Sequence, residues 1–239
     1  MLSTLISAYK DHEITKIHVR ECMAGTLIPD EIIVVNDGGT PDLKDKLLEL
    51  DIKTKLVYAT IKEDIPWNYT GARNLGIWLS TGDIISLEDN DHIPTREFYE
   101  DCLNKFKESP ETQRIRTHKR RVIAREDVLT NPMEEWVQIS SRPPHQDVTV
   151  NRRELFLKLK GYDERFSGEY GWCATDLKRR LMRMGIETAD AGYQYVVYSE
   201  KTRGLSYRNF RLARTQDDIQ SPMGILNFKY EYETIGDKK

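Results

Sequence analysis

Apolar and polar positions divide the first hundred residues into alternating short strands and amphipathic helices. Leu2 to Ala8 is a short, mostly apolar run and predicts a buried strand. Glu13 to Met23 predicts a helix with Ile14, Ile17 and Val19 on its apolar side. Glu31 to Val35 is continuous and β-branched, as in a parallel strand covered on both faces, and it stops at the loop signal Asn36-Asp37-Gly38-Gly39. Asp42 to Leu50 predicts a helix, Lys55 to Tyr58 a strand, and Tyr69 to Ser80 a helix closed by Thr81-Gly82. Asp83 to Leu87 predicts a strand that runs into the acidic cluster Glu88-Asp89-Asn90-Asp91. Thr95 predicts the N-cap of a helix reaching Lys107, with Phe98, Leu103 and Phe106 toward the core.

The second half is less regular. Val122 to Ala124 and Val148 to Val150 predict strands, and Arg153 to Lys160 a helix. Pro132 to Gln146, with Trp136 and the pair Pro143-Pro144, predicts a loop. Gly161 to Gly171 predicts a Gly-rich acidic loop, Leu177 to Met184 a helix, Tyr193 to Tyr198 a strand, and Gly236 to Lys239 a frayed end. The alternation as a whole predicts an α/β class fold, a Rossmann-like, mostly parallel sheet flanked by helices. In such sheets ligands bind beyond the carboxyl ends of the strands. The loops carrying Asp37 and Asp89 to Asp91 fall at those ends.

Composition narrows the classes. With 239 residues and no visible linker, a single domain over 1–239 is expected. Its 1–110 half is read as the ligand-binding half; its 111–239 half is read as the acceptor half with a C-terminal tail. No run approaches the roughly 18 apolar residues of a membrane helix, and Met1-Leu2-Ser3-Thr4 enters a strand without a basic leader, so a cytoplasmic protein with no membrane span is expected. Cys22, Cys102 and Cys173 form no CxxC pair and are read as reduced thiols. A net charge of −3 argues against a globally basic nucleic-acid binder. Two local basic clusters remain. One is Arg114 to Arg125, with six Lys/Arg and no acid; the other is Lys201, Arg203, Arg208, Arg211 and Arg214, interleaved with Tyr207 and Phe210. Both suit a polyanionic acceptor or diphosphate capture, or simply a solvated face.

Asp89 and Asp91, two carboxylates at i and i+2 after a buried strand, can share a hard divalent cation such as Mn²⁺ or Mg²⁺. An isolated D-x-D triplet arises often by chance; its position after Ile84-Ile85-Ser86-Leu87 gives it weight.

Four segments then occur in order: Leu5-Ile6-Ser7-Ala8-Tyr9, Asp30 through Gly38, Gly71-Ala72-Arg73-Asn74-Leu75-Gly76, and Gly82 through Asp91. Together they resemble family 2 glycosyltransferases and their GT-A relatives. Gly161-Tyr162-Asp163-Glu164-Arg165-Phe166 and Asp176-Leu177-Lys178-Arg179-Arg180-Leu181 resemble the C-terminal signature of the galactosyltransferase-like branch. The resemblance covers about residues 2 to 200. It implies a GT-A (nucleotide-diphospho-sugar transferase) fold and sugar transfer from a nucleoside-diphosphate sugar, of UDP type, to an acceptor hydroxyl, aided by Mn²⁺ or Mg²⁺. It places Ala8 and Tyr9 beside the nucleobase, Asp37 on the base or ribose, and Arg73 near the base or diphosphate. Asp89 would contact the ribose or metal-bound water, and Asp91 would ligate the metal. Plainer readings stand beside these: an Asx-turn for Asp37 and a surface salt bridge for Arg73.

Two departures matter. Cys173 and Ala174 stand where relatives carry a Glu-Asp pair, whose second acid is the general base of inverting members. Asp176 and Glu169 are the remaining catalytic candidates, with Asp163 behind them; otherwise there is no enzymic base, as in retaining relatives. Asp176 also reads as a helix-start acid favoured by the helix dipole. The late histidine ligand is missing too. Tyr198 stands near its place, and His92 is the substitute or else a hydrogen-bonded loop residue. Trp172 is a candidate acceptor platform or a core tryptophan. The acceptor reads as a glycan, a small molecule or DNA with a hydroxymethylated base. Two competing classes are a non-catalytic binding module on a decayed transferase fold and a nucleotidyltransferase. The latter needs a Gly-rich loop after the first strand, and Tyr9-Lys10-Asp11-His12 has no glycine.

Overall fold

The structure, a computed structural model, describes residues 1–199, 204–215 and 228–236. Its centre is the apolar alternation of the first half. β1 (Leu2–Ala8) lies between β2 (Glu31–Asp37) and β4 (Ile84–Asp89), parallel to both, and β3 (Lys55–Ile61) continues parallel beyond β2. The helices between these strands are α1 (His12–Cys22), α2 (Asp42–Leu48) and α3 (Tyr69–Leu79). Successive strand residues point to opposite faces. Thus Leu2, Ile6, Ile32 and Val34 meet Val19, Cys22, Leu43 and Leu47 on one side of the sheet. Leu5, Ile33 and Val35 meet Ala72 and Leu75 on the other. Both faces are covered, so β2 needs no polar side and every one of its residues is buried. Gly76 lets α3 sit directly on β1, because a Cβ there would lie 1.8 Å from Leu5 Cδ1.

β5 (His92–Pro94) follows β4 and leads to α4 (Phe98–Glu108). Thr95 is not the cap of that helix. Its N–H is spent on the Tyr193 carbonyl at the end of the β5 pairing, and the helix opens after Glu97. Phe98 and Phe106 enter the core beneath β1; Leu103 is only partly buried.

The second half extends the same sheet. β6 (Arg114–Arg116) and β9 (Thr149–Arg152) pair with each other, β9 lies antiparallel to β4, and β10 (Thr188–Asp190) closes that edge. β7 (Arg120–Ile123), β8 (Gln138–Arg142) and β11 (Gln194–Val197) form a second sheet with β5. Pro132 to Gln146 is therefore not all loop: β8 pairs antiparallel with β7. All five β8 residues are exposed, so it carries no alternating pattern. α5 (Arg125–Thr130) follows β7, and α6 (Arg153–Leu159) and α7 (Cys173–Arg183) cover the α3 face. α7 begins at Cys173, a full turn before Leu177, which brings Ala174 and Asp176 into its first turn. α8 (Tyr207–Thr215) packs on α7, and β12 (Tyr230–Gly236) adds antiparallel to β3, so Gly236 is paired with Leu56 rather than frayed. Lys201, Arg203 and residues 237–239 lie outside the described residues. Among the described residues no helix is long and apolar enough to cross a membrane.

The main sheet runs β10-β6-β9-β4-β1-β2-β3-β12. The chain first builds outward from β1 through β2 to β3, then returns to place β4 on the other side of β1. That reversal opens a crevice at the carboxyl ends of β1 and β4, the ligand position of doubly wound sheets.

Candidate active site

Asp89 is the last residue of β4 and sits opposite Ser7 of β1. Its Oδ1 accepts a 2.6 Å bond from Arg73 Nη2. Arg73, on α3, is fully buried; its Nη1 donates to the Asp147 carbonyl at 3.1 Å and its guanidinium lies 4.6 Å from the centre of the Tyr69 ring. One planar fork therefore ties β4 to the segment before β9. Burial opposes ionisation of Asp89, but Arg73, His145 and His92 outweigh it and hold its carboxyl well below the usual carboxylate range.

Asp91 Oδ1 is 2.8 Å from His92 Nδ1, and His92 Nε2 is 2.6 Å from Arg120 Nη1. Arginine can only donate, so Nε2 accepts, and the ring proton is assigned to Nδ1, which donates to Asp91. Both nitrogens of His92 are engaged. Burial works against the Asp91 carboxylate, yet His92 keeps it below its ordinary range. Asp89, Asp91 and His92 offer ligand atoms all within 4.8 Å of one another, an arrangement able to hold a divalent cation. The two carboxylates fit a hard ion, for each has a second oxygen besides the one in its short bond to Arg73 or His92.

Beneath the turn, Glu88 is fully buried and accepts from Ser86 Oγ at 2.6 Å and Tyr99 Oη at 2.8 Å. His18 spans Glu88, at 2.6 Å through Nε2, and the Asn90 carbonyl, at 3.2 Å through Nδ1. Cys22 lies 3.1 Å from Tyr99 Oη. These bonds fix the backbone of the acidic turn from below.

Across the crevice, Asp37 ends β2. Asn68 Nδ2 donates to it at 3.0 Å, and burial pushes its carboxyl up to about 7, against the pull of Asn68. Ala8 is buried, whereas Tyr9 is exposed, with its hydroxyl 3.2 Å from Asp64 and Lys10 Nζ 4.5 Å from its ring centre. Asn68 Oδ1 accepts from Ser167, so the Asp37 side is bonded to the loop before α7.

The C-terminal candidates are spread out. Asp176 is buried and ion-paired with Arg180 at 2.9 Å, and Arg180 also donates to the carbonyls of Leu159 and Gly161. Burial raises the Asp176 carboxyl, with Arg180 opposing. Asp163 pairs with Arg165 at 2.6 Å. Glu169 accepts from Ser206 Oγ and lies 3.5 Å from Arg208. Trp172 adopts φ 72°, packs 4.8 Å from Phe210 of α8, and its buried indole N–H has no hydrogen-bond partner among the described residues. Asn209 anchors α8 to this loop through the carbonyls of Phe166, Glu169 and Gly171.

The family 2 model of glycosyl transferases, "Glycosyl transferase family 2", matches residues 3–152. The chain belongs to that family. The transferase also shares its fold with the crystal structure of S. aureus TarS 1-349 in complex with UDP-GlcNAc. The identity is 12%, the TM-score 0.67, and the match covers 94% of this chain and 70% of that chain. No curated protein matches the sequence. The fold is thus the GT-A glycosyltransferase fold.

In this transferase, Asp89, Asp91, His92 and Arg73 meet at one point, while Asp176 and Glu169 each have partners of their own. Asp147 is not among the site residues expected from the sequence. Its side chain is buried, Oδ1 has no hydrogen-bond partner among the described residues, and burial pushes it up to about 6 while Arg73, Arg114 and the Tyr69 hydroxyl pull it down. Burial also raises the thiol of Cys173, and the nearby Asp147 charge adds to that rise. His145, likewise not among them, lies 5.2 Å from His92 and is pushed down to about 4 by burial, so it is neutral. No motif marks Asp147 or His145; only the pairing of β9 with β4 brings them here. Five of the six Lys/Arg in the basic run are buried or paired within the protein. Arg114 is buried, Arg116 pairs with Asp190, Arg120 with His92, and Arg125 with Asp11, while Arg121 covers Tyr193.

Proposed function

We propose that the protein transfers a sugar from a nucleoside-diphosphate sugar, of UDP type, to an acceptor hydroxyl, with a divalent cation held at Asp89 and Asp91. The observation that carries this reading is the buried Arg73 locking Asp89 at the β1–β4 crevice, with Asp91 beside it. A UDP-sugar in the TarS structure, on the same fold, supports the donor class.

Asp37, Ala8 and Tyr9 are assigned to the nucleoside, at the mouth of the crevice on the β2 side. The carboxylates of Asp89 and Asp91 are assigned as metal ligands, and His92 as the residue that orients Asp91, since Arg120 takes its other nitrogen. Mn²⁺ or Mg²⁺ bound there would neutralise charge on the departing diphosphate. Arg73 holds Asp89 ionised and fixed in direction.

The general base is assigned to Asp147 ahead of Asp176 and Glu169. Relatives place their base near the start of α7, where this chain has Cys173 and Ala174. Asp147 reaches the surroundings of Cys173 from the segment before β9 and, among the described residues, keeps one oxygen without a hydrogen-bond partner. Such a carboxylate can take the proton of an acceptor hydroxyl, whereas Asp176 would first have to release Arg180.

The test is a donor screen by mass spectrometry, with Mn²⁺ and mixed UDP- and GDP-sugars. Wild-type protein should bind and slowly hydrolyse at least one UDP-sugar, and Asp91→Asn should reduce this by a factor of about 100 or more. Absence of binding and of hydrolysis for every sugar nucleotide would refute the proposal.

A further inference from the structure

Between β6, β10 and α7 lies a cavity of about 210 Å³. Three cationic side chains line it: Arg114 and Arg116 from β6, and Lys178 from α7. Gln146 lines it as well, while Leu181 and Met182 form an apolar wall. No carboxylate is among its lining residues. Arg116 is balanced by Asp190 at 2.5 Å, and Lys178 is exposed.

Arg114 is the unusual member. It is only 4% exposed, its Nη2 donates to the Gln146 carbonyl, and its Nη1 is buried with no hydrogen-bond partner among the described residues. Among the described residues no carboxylate forms a salt bridge with it. A guanidinium withdrawn from water with no carboxylate bonded to it is costly even with the Asp147 charge nearby, and so is an unmade N–H bond. A bound anion removes both costs, and a planar guanidinium suits the oxygens of a phosphate group. Burial, with the Arg73 charge adding to it, drives the Arg114 pKa below its ordinary value against the pull of Tyr162 and Asp147.

We propose that this cavity is a binding site for a phosphate group, held by Arg114, Arg116 and Lys178. It is separate from the nucleotide site and does not depend on the function proposed above. It is coupled to the acidic turn through two adjacent carbonyls, for Arg114 holds that of Gln146 and Arg73 holds that of Asp147. The phosphate is either free or carried by a larger phosphate ester.

Calorimetric titration of the full chain at constant ionic strength tests the site, with inorganic phosphate and glycerol 3-phosphate as separate probes. Saturable binding of at least one probe is expected. Lys178→Ala and Arg116→Ala, both at the surface, should each weaken it about tenfold, while Asp91→Asn should leave it unchanged. Equal affinity for the two probes identifies phosphate itself as the ligand; tighter binding of glycerol 3-phosphate identifies a phosphate ester. The proposal is overturned if neither probe binds, if both alanine variants bind like wild type, or if Asp91→Asn abolishes binding. Arg114→Lys, which keeps the charge but loses the fork, should weaken binding while retaining the wild-type unfolding transition.

Discussion

Replacing Arg73 by methionine removes a fully buried cation but keeps most of its apolar volume. Two bonds disappear: Nη2 to Asp89 at 2.6 Å and Nη1 to the Asp147 carbonyl at 3.1 Å. A hydrogen bond involving a charged group contributes about 1.5–3 kcal/mol. Removing one partner of a buried ion pair costs about 3–5 kcal/mol, because the other charge is stranded. Asp89 is about one-fifth exposed and keeps His92 at 3.9 Å, so the lower part of that range applies, about 3 kcal/mol at neutral pH.

The pH dependence separates this mechanism from simple loss of packing. In the wild type the Asp89 pKa is depressed, so its stabilisation is present above the unfolded value of about 4 and is lost as pH falls through the folded value. Without Arg73 the dominant remaining influence is burial, which raises the carboxyl instead. The variant then loses stability as pH rises through its new, higher pKa. The difference between the two proteins should therefore be largest near pH 7.5 and shrink toward pH 4.5. Urea unfolding of both proteins at pH 4.5, 6.0 and 7.5 measures it. A difference below about 1 kcal/mol at pH 7.5, or one that does not change with pH, would refute the view that Arg73 acts mainly as counter-ion to Asp89.

Other outcomes follow from the same geometry. The Asp37 carboxyl sits near 7 because of burial, so its contribution is full below pH 4 and lost as pH rises through 7. Asp37→Asn should gain about 2–3 kcal/mol relative to wild type between pH 5 and 8, and equal slopes in urea unfolding would contradict this. Asp147→Asn should lower kcat by a factor of about 100 or more with donor affinity nearly unchanged, and an Asp147→Asn enzyme that retains full kcat excludes it as base. Asp176→Asn should instead cost about 1–3 kcal/mol of stability by loosening Arg180, read as an earlier urea midpoint. Gly76→Ala forces Leu5 aside and should destabilise by about 1–3 kcal/mol; an unchanged melting temperature would show that α3 can lift off β1 at no cost.

The central sheet and the acidic turn were legible in the chain because they depend on local signals. A strand buried on both faces must be continuously apolar, and Glu31 to Val35 and Ile84 to Leu87 are close to that. The helices between them carry apolar residues at helical spacing, and the loop residues that follow the strands are forced to the carboxyl edge by the parallel topology. Edge and surface strands lack such a signal. β8 is exposed throughout and β12 largely so, and each exists because a neighbour supplies its backbone bonds.

Composition around Asp89 to Asp91 marked where the site lies, but not which groups are available within it. His92 has the right chemistry for a ligand, yet Arg120, brought from β7, occupies one nitrogen and Asp91 the other. Asp176 has the right position for a base, yet Arg180 four residues on pairs with it. Asp147 stands in no motif, and its importance comes from meeting Arg73 and Arg114 across the sheet. The basic run from Arg114 to Arg125 looked like one charged face. Its members instead split between the interior, the second sheet and surface pairs, because alternate strand residues face opposite ways and each finds a different partner. Sequence determined the fold and the location of the acidic turn through local periodicity; partner choice among charged groups was decided only by the tertiary structure, since it rests on contacts between residues far apart in the chain.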